Sequence, residues 1–353
     1  MIQLPSGRPA PDSDGRWRWA GTLSYTGDFR RRQRRRDCVK KGGAPARAFL
    51  SNVKLFLALS RTTHGLLDLA TPALSALLWL GAFPSPWIVA VGLLTAFAGY
   101  TAVYALNDLV DYRTDMERVR SGLLEDAGDY LDTVFVRHPL AQGALSFRKG
   151  LVWAAFWAAL ALIGASMLGP VCVVLFLGGV ILEAIYCLML KVSHLRLLVS
   201  GLVKTLGGIA AVFAVDPTPS PLFLLLLFLW LFSWEIGGQN LPADWHDIGE
   251  DSELGYRTIP ARCGTRVTSA LILQSLLVAV GLGTYLLSFA TGHLSIFCTG
   301  GSLLVGLYLL IHPAYQACRR EAPGEIDALF AKASLYPLAL LALLLAHIVG
   351  SKT

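Results

Sequence analysis

Two short runs of this 353-residue sequence place carboxylates and amides at helical spacing. In the first, Asn107, Asp111 and Asp115 fall at i, i+4 and i+8 and share one helix face, with Asp108 beside them. In the second, Asn240, Asp244, Asp247 and Asp251 form a similar stripe. Like charges so spaced repel and weaken a bare helix. A divalent cation between them removes that penalty, and Mg2+ takes hard oxygen ligands: one or two carboxylates, waters and substrate phosphates. Two such faces meeting at a cavity predict a diphosphate held through bridging Mg2+, with two ions expected. A single acidic helix end is ordinary. Two of them at matching places are what mark a site.

Basic groups near the same end complete a diphosphate site: Arg61, Arg137, Lys191 and Arg257 are the candidates. Lys204 lies inside an apolar segment, where a charge is costly, so it must face a cavity or pair with an acid. Asp68 and Glu183 are also inside apolar segments and are its expected partners or acceptor-site groups. Glu235, little more than a turn before Asn240, is within reach of the second stripe.

The elements that must position these residues are membrane helices. The chain is 54% hydrophobic and only 15% charged, against about 25% charged in soluble domains. Nine apolar segments follow one another at about 55–80, 87–108, 150–167, 171–190, 196–215, 221–241, 267–289, 294–313 and 328–349. The connections 81–86, 168–170, 216–220 and 290–293 carry no Lys or Arg, whereas the alternate ones are rich in both. This predicts a multi-pass protein with its N-terminus and both acidic loops cytosolic and its C-terminus on the opposite side. The net charge of +6 is therefore topology, with no nucleic acid implied. Residues 1–48, with the run Arg30–Arg36, read as a disordered basic cytosolic tail, and residues 49–353 as the transmembrane domain. The six cysteines show no paired spacing and read as small core residues. The acidic loops follow the second and sixth segments, matching places in two four-helix halves with a ninth helix left over.

At these residues the sequence resembles the UbiA superfamily of intramembrane prenyltransferases. The family's NDxxDxxxD signature reads as Asn107, Asp108, Asp111 and Asp115. Its DxxxD followed by GxxT[LI]P reads as Asp247, Asp251, Gly255, Thr258, Ile259 and Pro260. An arginine-led loop element runs from Arg137 to Ser146 with His138 inserted, and Tyr186 with Lys191 resembles the pattern closing the fourth helix. The loop 116–136 departs from the family, carrying Glu125, Asp126, Asp129 and Asp132 where a basic stretch is usual.

The resemblance implies an all-α membrane fold of about nine helices around a central cavity. It implies Asp108, Asp111, Asp115, Asp247 and Asp251 as catalytic, and these with Asn107 and Asp244 as metal ligands. It further implies Mg2+-dependent ionisation of an isoprenyl diphosphate and capture of the allylic cation by a small acceptor, an aromatic or quinone precursor in much of the family. Tyr104, Tyr186, Trp230, Trp234 and Tyr336 are candidates to stabilise that cation. A terpene cyclase on the same scaffold is the alternative, in which the cation is quenched within its own chain. Secondary transport fits less well, because transporter sites lie near the bilayer midplane and these acids lie at helix ends.

Overall fold

Prolines set the helix geometry as much as hydropathy does. The computed structural model describes residues 53–122, 136–291 and 296–351, all within the unit Val53–Thr353, and among them there is no strand. The basic tail lies outside the described residues, as do Glu125, Asp126, Asp129 and Asp132.

The first apolar segment is not the continuous helix its composition predicts. It is α1 (53–59), α2 (Thr62–Asp68) and α3 (Ala70–Leu80). Arg61 breaks it first, in the left-handed region at φ 42 and ψ 45, a conformation uncommon outside glycine. Pro72 breaks it next, because it has no N–H to give the Asp68 carbonyl and its ring crowds that oxygen. Both breaks fall beside charged side chains that enter the cavity region.

Eight further helices are long and apolar enough to cross a bilayer. They begin with α4 (Pro86–Val110), which leads into the short α5 (Tyr112–Ser121), then α6 (Phe147–Leu168), α7 (Pro170–Leu188) and α8 (Arg196–Val215). The next span joins α9 (Pro221–Glu235), a π-helical turn (Ile236–Asn240) and α10 (Leu241–His246), and is followed by α11 (Ile248–Leu254). The last three are α12 (Ile259–Ala290), α13 (Ile296–Gly306) continued through a second π turn (Leu307–Ile311) into α14 (His312–Arg320), and α15 (Pro323–Gly350).

Each π turn ends two residues before a proline, Pro242 or Pro313. Widening the turn relieves the clash of the ring with the carbonyl four residues earlier. Two of the carbonyls that prolines leave unbonded find side-chain donors. Gln239 Nε2 donates to Gly238 O at 3.0 Å, four residues before Pro242. Trp234 Nε1 donates to Ala333 O at 2.9 Å, four residues before Pro337 inside α15. At these two positions a buried backbone carbonyl that the helix does not satisfy is paired by a side chain.

The main core joins α9, α12 and α15 around Trp230, Trp234, Leu276, Leu287, Tyr336 and Leu340. A smaller one packs Leu59, Ala105, Leu109 and Leu145. Close helix contact needs glycine: a Cβ at Gly208 would come within 2.5 Å of Leu231 and 2.8 Å of Ser75 Oγ. Outward faces carry exposed apolar side chains such as Val152, Ile181, Leu277 and Leu304, as a lipid-facing surface must. Cys172, Cys187 and Cys298 are buried.

Candidate active site

The two acidic runs adopt the same local backbone. Each transmembrane helix stops one residue short of an aspartate, Asp111 (φ −79, ψ 1) or Asp247 (φ −86, ψ 8), which turns the chain into a short helix ended by a left-handed glycine, Gly122 or Gly255. The stripes survive the turn, with Asp111 N bonded to Asn107 O and Asp115 N to Asp111 O, both at 2.9 Å. The equivalent bond joins Asp251 N to Asp247 O at 2.9 Å. The internal repeat expected from loop placement is thus repeated in dihedral angles.

In the first stripe, Asn107 receives Arg61 Nη2 on its carbonyl oxygen at 3.2 Å and donates to Glu183 Oε1 at 2.8 Å. His138 pairs with Asp115 at 2.8 Å and lies 3.7 Å from Asp108. Ligand-type atoms of Asp108, Asp115 and His138 all lie within 4.8 Å of one another. His138 is itself left-handed, at φ 49. Burial alone would lower its pKa, but Asp115 and Asp108 outweigh that and raise it to about 9. Asp111 is pushed up to about 6, by burial first and by Asp115 second.

In the second stripe, Arg137 holds both oxygens of Asp247 at 2.9 Å and Glu250 at 3.1 Å. Arg118 comes from α5 and crosses to the other motif, reaching Asp251 at 2.8 Å and Asp247 at 3.7 Å. Burial opposes ionisation of Asp247, yet Arg137 and Arg118 hold it below the usual carboxylate range. Asp251 rises to about 6 because burial exceeds what Arg118 returns. Asp244 lies 3.5 Å from Arg196, whose guanidinium stacks 4.0 Å from the Tyr186 ring centroid. The Tyr186 hydroxyl accepts from Asn240 Nδ2 at 3.1 Å, while Asn240 Oδ1 is buried with no hydrogen-bond partner.

Both stripes cap one cavity of about 600 Å³, and Asn107, Asp108, Asp111 and Asp115 line it together with Asn240, Asp244 and Asp247. Arg61, Arg137, Tyr186 and Lys204 also line it. Asp251 does not: it stands behind Arg118, 1% exposed. Two expected members lie elsewhere. Lys191 pairs with Glu117 at 2.5 Å on the exposed surface, and Arg257 is exposed, donating to Val192 O at 3.0 Å. Arg257 N also bonds to Leu190 O at 2.9 Å, which ties the short α7–α8 connection outward and carries both basic groups away from the cavity.

Of the expected aromatic candidates, Tyr104 and Tyr186 line the cavity, whereas Trp230, Trp234 and Tyr336 pack in the main core. The sequence reading missed Arg118, Arg196 and His138 as site residues. The first two look like ordinary positive-inside residues, and His138 like a harmless insertion. The signal available for Arg118 was its place three residues after Asp115, on the same helix face.

The donor set is dominated by hard oxygens. The orphaned Asn240 Oδ1 adds acceptor capacity that the neighbouring donors do not meet. That fits a divalent cation of the Mg2+ type.

Comparison with known proteins agrees with this architecture. The description "UbiA prenyltransferase family" matches residues 69–338. A UbiA homologue from Aeropyrum pernix K1 shares the fold with TM-score 0.63 at 19% identity, over 82% of this chain and 98% of that one. A UbiA homologue from Archaeoglobus fulgidus, solved bound to GPP and Mg2+, gives TM-score 0.60 at 19% identity over 84% and 99%. The Archaeoglobus fulgidus homologue bound to DMAPP and Mg2+ gives 0.56 at 16% over 81% and 99%. At these identities the likeness is one of fold, and no curated protein gives a significant match. With its family signatures spread over most of the transmembrane unit, the chain belongs to the UbiA prenyltransferase family.

Proposed function

We propose that this protein is a metal-dependent intramembrane prenyltransferase, which ionises an isoprenyl diphosphate at the acidic cap and transfers the prenyl group to a small acceptor. The observation that carries this reading is the pair of acidic helix ends, turned identically at Asp111 and Asp247, over a cavity that continues between apolar helices. Relatives of the same fold that were solved with GPP or DMAPP and Mg2+ support it.

Asp108, Asp111 and Asp115 on one side, and Asp244 and Asp247 on the other, would hold two Mg2+ ions, with Asn240 Oδ1 as a further oxygen. Bound there, Mg2+ supplies Lewis-acid charge that neutralises the departing diphosphate. The chain's own guanidinium groups add to this. Arg61, Arg118 and Arg137 line the cap and carry donors suited to phosphate oxygens. Arg118 and Arg137 pair with the second motif's carboxylates, and the same guanidinium groups would offer donors to a bound diphosphate. The apolar walls would keep water from the cation left behind, and Tyr104 and Tyr186, which line the cavity, would offer it ring faces. The Lys and Arg distribution supports a cytosolic position for this cap.

The test uses purified protein in detergent with Mg2+, a panel of isoprenyl diphosphates and no acceptor, with EDTA as control. Pyrophosphate and organic products are followed together. Turnover that waits for an aromatic acceptor and is lost in EDTA supports the transferase. EDTA-sensitive pyrophosphate release with a cyclic product would make the protein a cyclase. No metal-dependent binding or turnover of any isoprenyl diphosphate would remove the proposal.

A further inference from the structure

His138 is the residue by which the loop after α5 departs from the family's element, and the structure sets it on the first acidic motif. Its Nδ1 stands 2.8 Å from Asp115 Oδ2 and 3.7 Å from Asp108 Oδ1. Two ligands of one ion, at bond lengths of about 2.0–2.2 Å, can lie no more than about 4.4 Å apart, and both distances fall inside that limit. The side chain is only 9% exposed. Its Nδ1 is nevertheless buried without a hydrogen bond, close to the Asp115 oxygen but not bonded to it. A buried polar atom in that state calls for a ligand or a task.

The loop holds the ring in place from both sides. His138 is left-handed at φ 49, a conformation that costs most side chains energy. Behind it the chain closes tightly: Gln142 N donates to His138 O at 3.1 Å, and Ala144 N and Leu145 N donate to Pro139 O at 3.0 and 3.1 Å. Ahead of it, Arg137 is fixed on Asp247 and Glu250. Neutralising two carboxylates needs only a cation, which a Lys or Arg supplies without left-handed backbone. A ring locked against them by its own loop is instead a preorganised ligand.

We propose that His138 is a metal ligand, which with Asp108 and Asp115 makes the first acidic motif a mixed nitrogen and oxygen site for a first-row transition-metal ion such as Mn2+, Fe2+ or Co2+. The inference deepens the metal-dependent reading above and rests on it. Mg2+ seeks hard oxygens and gains little from an imidazole. Affinity for a site with nitrogen rises from Mn2+ through Fe2+ to Co2+. The second motif offers the cavity oxygens alone: His246 beside it pairs with Asp327 at 2.6 Å and does not line the cavity. The two halves of the repeat thus share a backbone turn but differ in the ion they suit.

The experiment uses the full chain in non-ionic detergent with the metal alone. Mn2+ binding is titrated by EPR, Co2+ and Mg2+ are measured by competition, and bound Mn2+ is examined by pulsed EPR for a coordinated nitrogen. The native protein should show that nitrogen, and so should His246→Asn. His138→Asn should lose it, and the ratio of Co2+ to Mg2+ affinity should fall about tenfold or more, since even outer partners of a ligand are worth that much. Asn is at home in the left-handed region, so this variant removes the ligand and keeps the turn. His138→Asp, which supplies oxygen in place of nitrogen, should bind Mn2+ without the signal and serves if His138→Asn does not fold. No nitrogen signal in the native protein, a signal that survives in His138→Asn, or an unchanged Co2+ to Mg2+ ratio would overturn the assignment. Tighter binding of all three ions in His138→Asn would also overturn it, by showing that His138 is a cation competing with metal. Failure of the native protein to bind any of the three ions would remove the metal-dependent reading itself, so the two failures are separable.

Discussion

Arg118, Arg137 and His138 pair with the carboxylates of the two acidic motifs that the proposed function gives to metal. Charges this buried are tolerated only when paired, and removing one partner leaves the other uncompensated. His138 makes the cost measurable. An imidazole raised from 6.5 to about 9 holds more protons folded than unfolded between those values. Its stabilisation is complete below pH 6.5 and is lost as pH rises through about 9. In EDTA, the unfolding midpoint should therefore fall between pH 7 and 9.5. His138→Asn should flatten that profile and lower stability at pH 6.5 by on the order of 3 kcal/mol. Parallel profiles for the two proteins would show that His138 carries no proton there. Asp111→Ala and Asp247→Ala belong to the same scale. Each should reduce metal-dependent turnover by at least 100-fold while leaving the protein folded, and near-normal turnover in either would end that residue's assigned role.

Among the elements, the π turn at Ile236–Asn240 matters most, because it sets the rotation at which Asn240, Asp244 and Asp247 meet the cavity. Its backbone lies against α12. A Cβ at Gly237 would stand 3.0 Å from the Ile272 carbonyl oxygen and 2.9 Å from Ser275 Cβ, and a helix carbonyl cannot step aside. Gly237→Ala should cost about 1–3 kcal/mol, seen as an unfolding midpoint several degrees lower. Gly249→Ala, whose Cβ meets nothing within 4 Å inside α11, should be neutral or slightly stabilising. The same element marks the limit of what the sequence tells. The stripe Asn240–Asp251 was legible because its spacing is local, and so was the span, from hydropathy. The π turn was not, since Pro242 states only that a carbonyl must be freed, not whether the helix widens, kinks or stops. Breaks at Arg61 and Leu69 were hidden for the same reason, inside one apolar run. Arg118 was hidden for another: its partner Asp251 is 133 residues away, and one arginine among many on the inner side gives no sign of which acid it will meet.

At the scale of the whole molecule, the cavity runs from the acidic cap to Phe83, Pro84 and Ile88 at the far end of α4. Gly92 lines it 15 residues from Asn107, about 22 Å at 1.5 Å per residue. A short prenyl chain anchored at the cap ends well before that point, whereas a long one passes it. On the proposed function, a prenyl tail would come from the bilayer rather than from water, and lipid is as apolar as the channel, so burial itself gives little free energy for choosing among chain lengths. Selection must therefore be steric. An added Cβ at Gly92 meets nothing within 4 Å, so a large side chain there projects into open space. Gly92→Phe should shift the ratio of affinities toward geranyl diphosphate over a diphosphate of six or more isoprene units by tenfold or more, measured by competition binding in Mg2+. An unchanged ratio would mean that the tail leaves between the helices toward lipid before it reaches α4's outer end, and that the lower cavity serves something other than chain length.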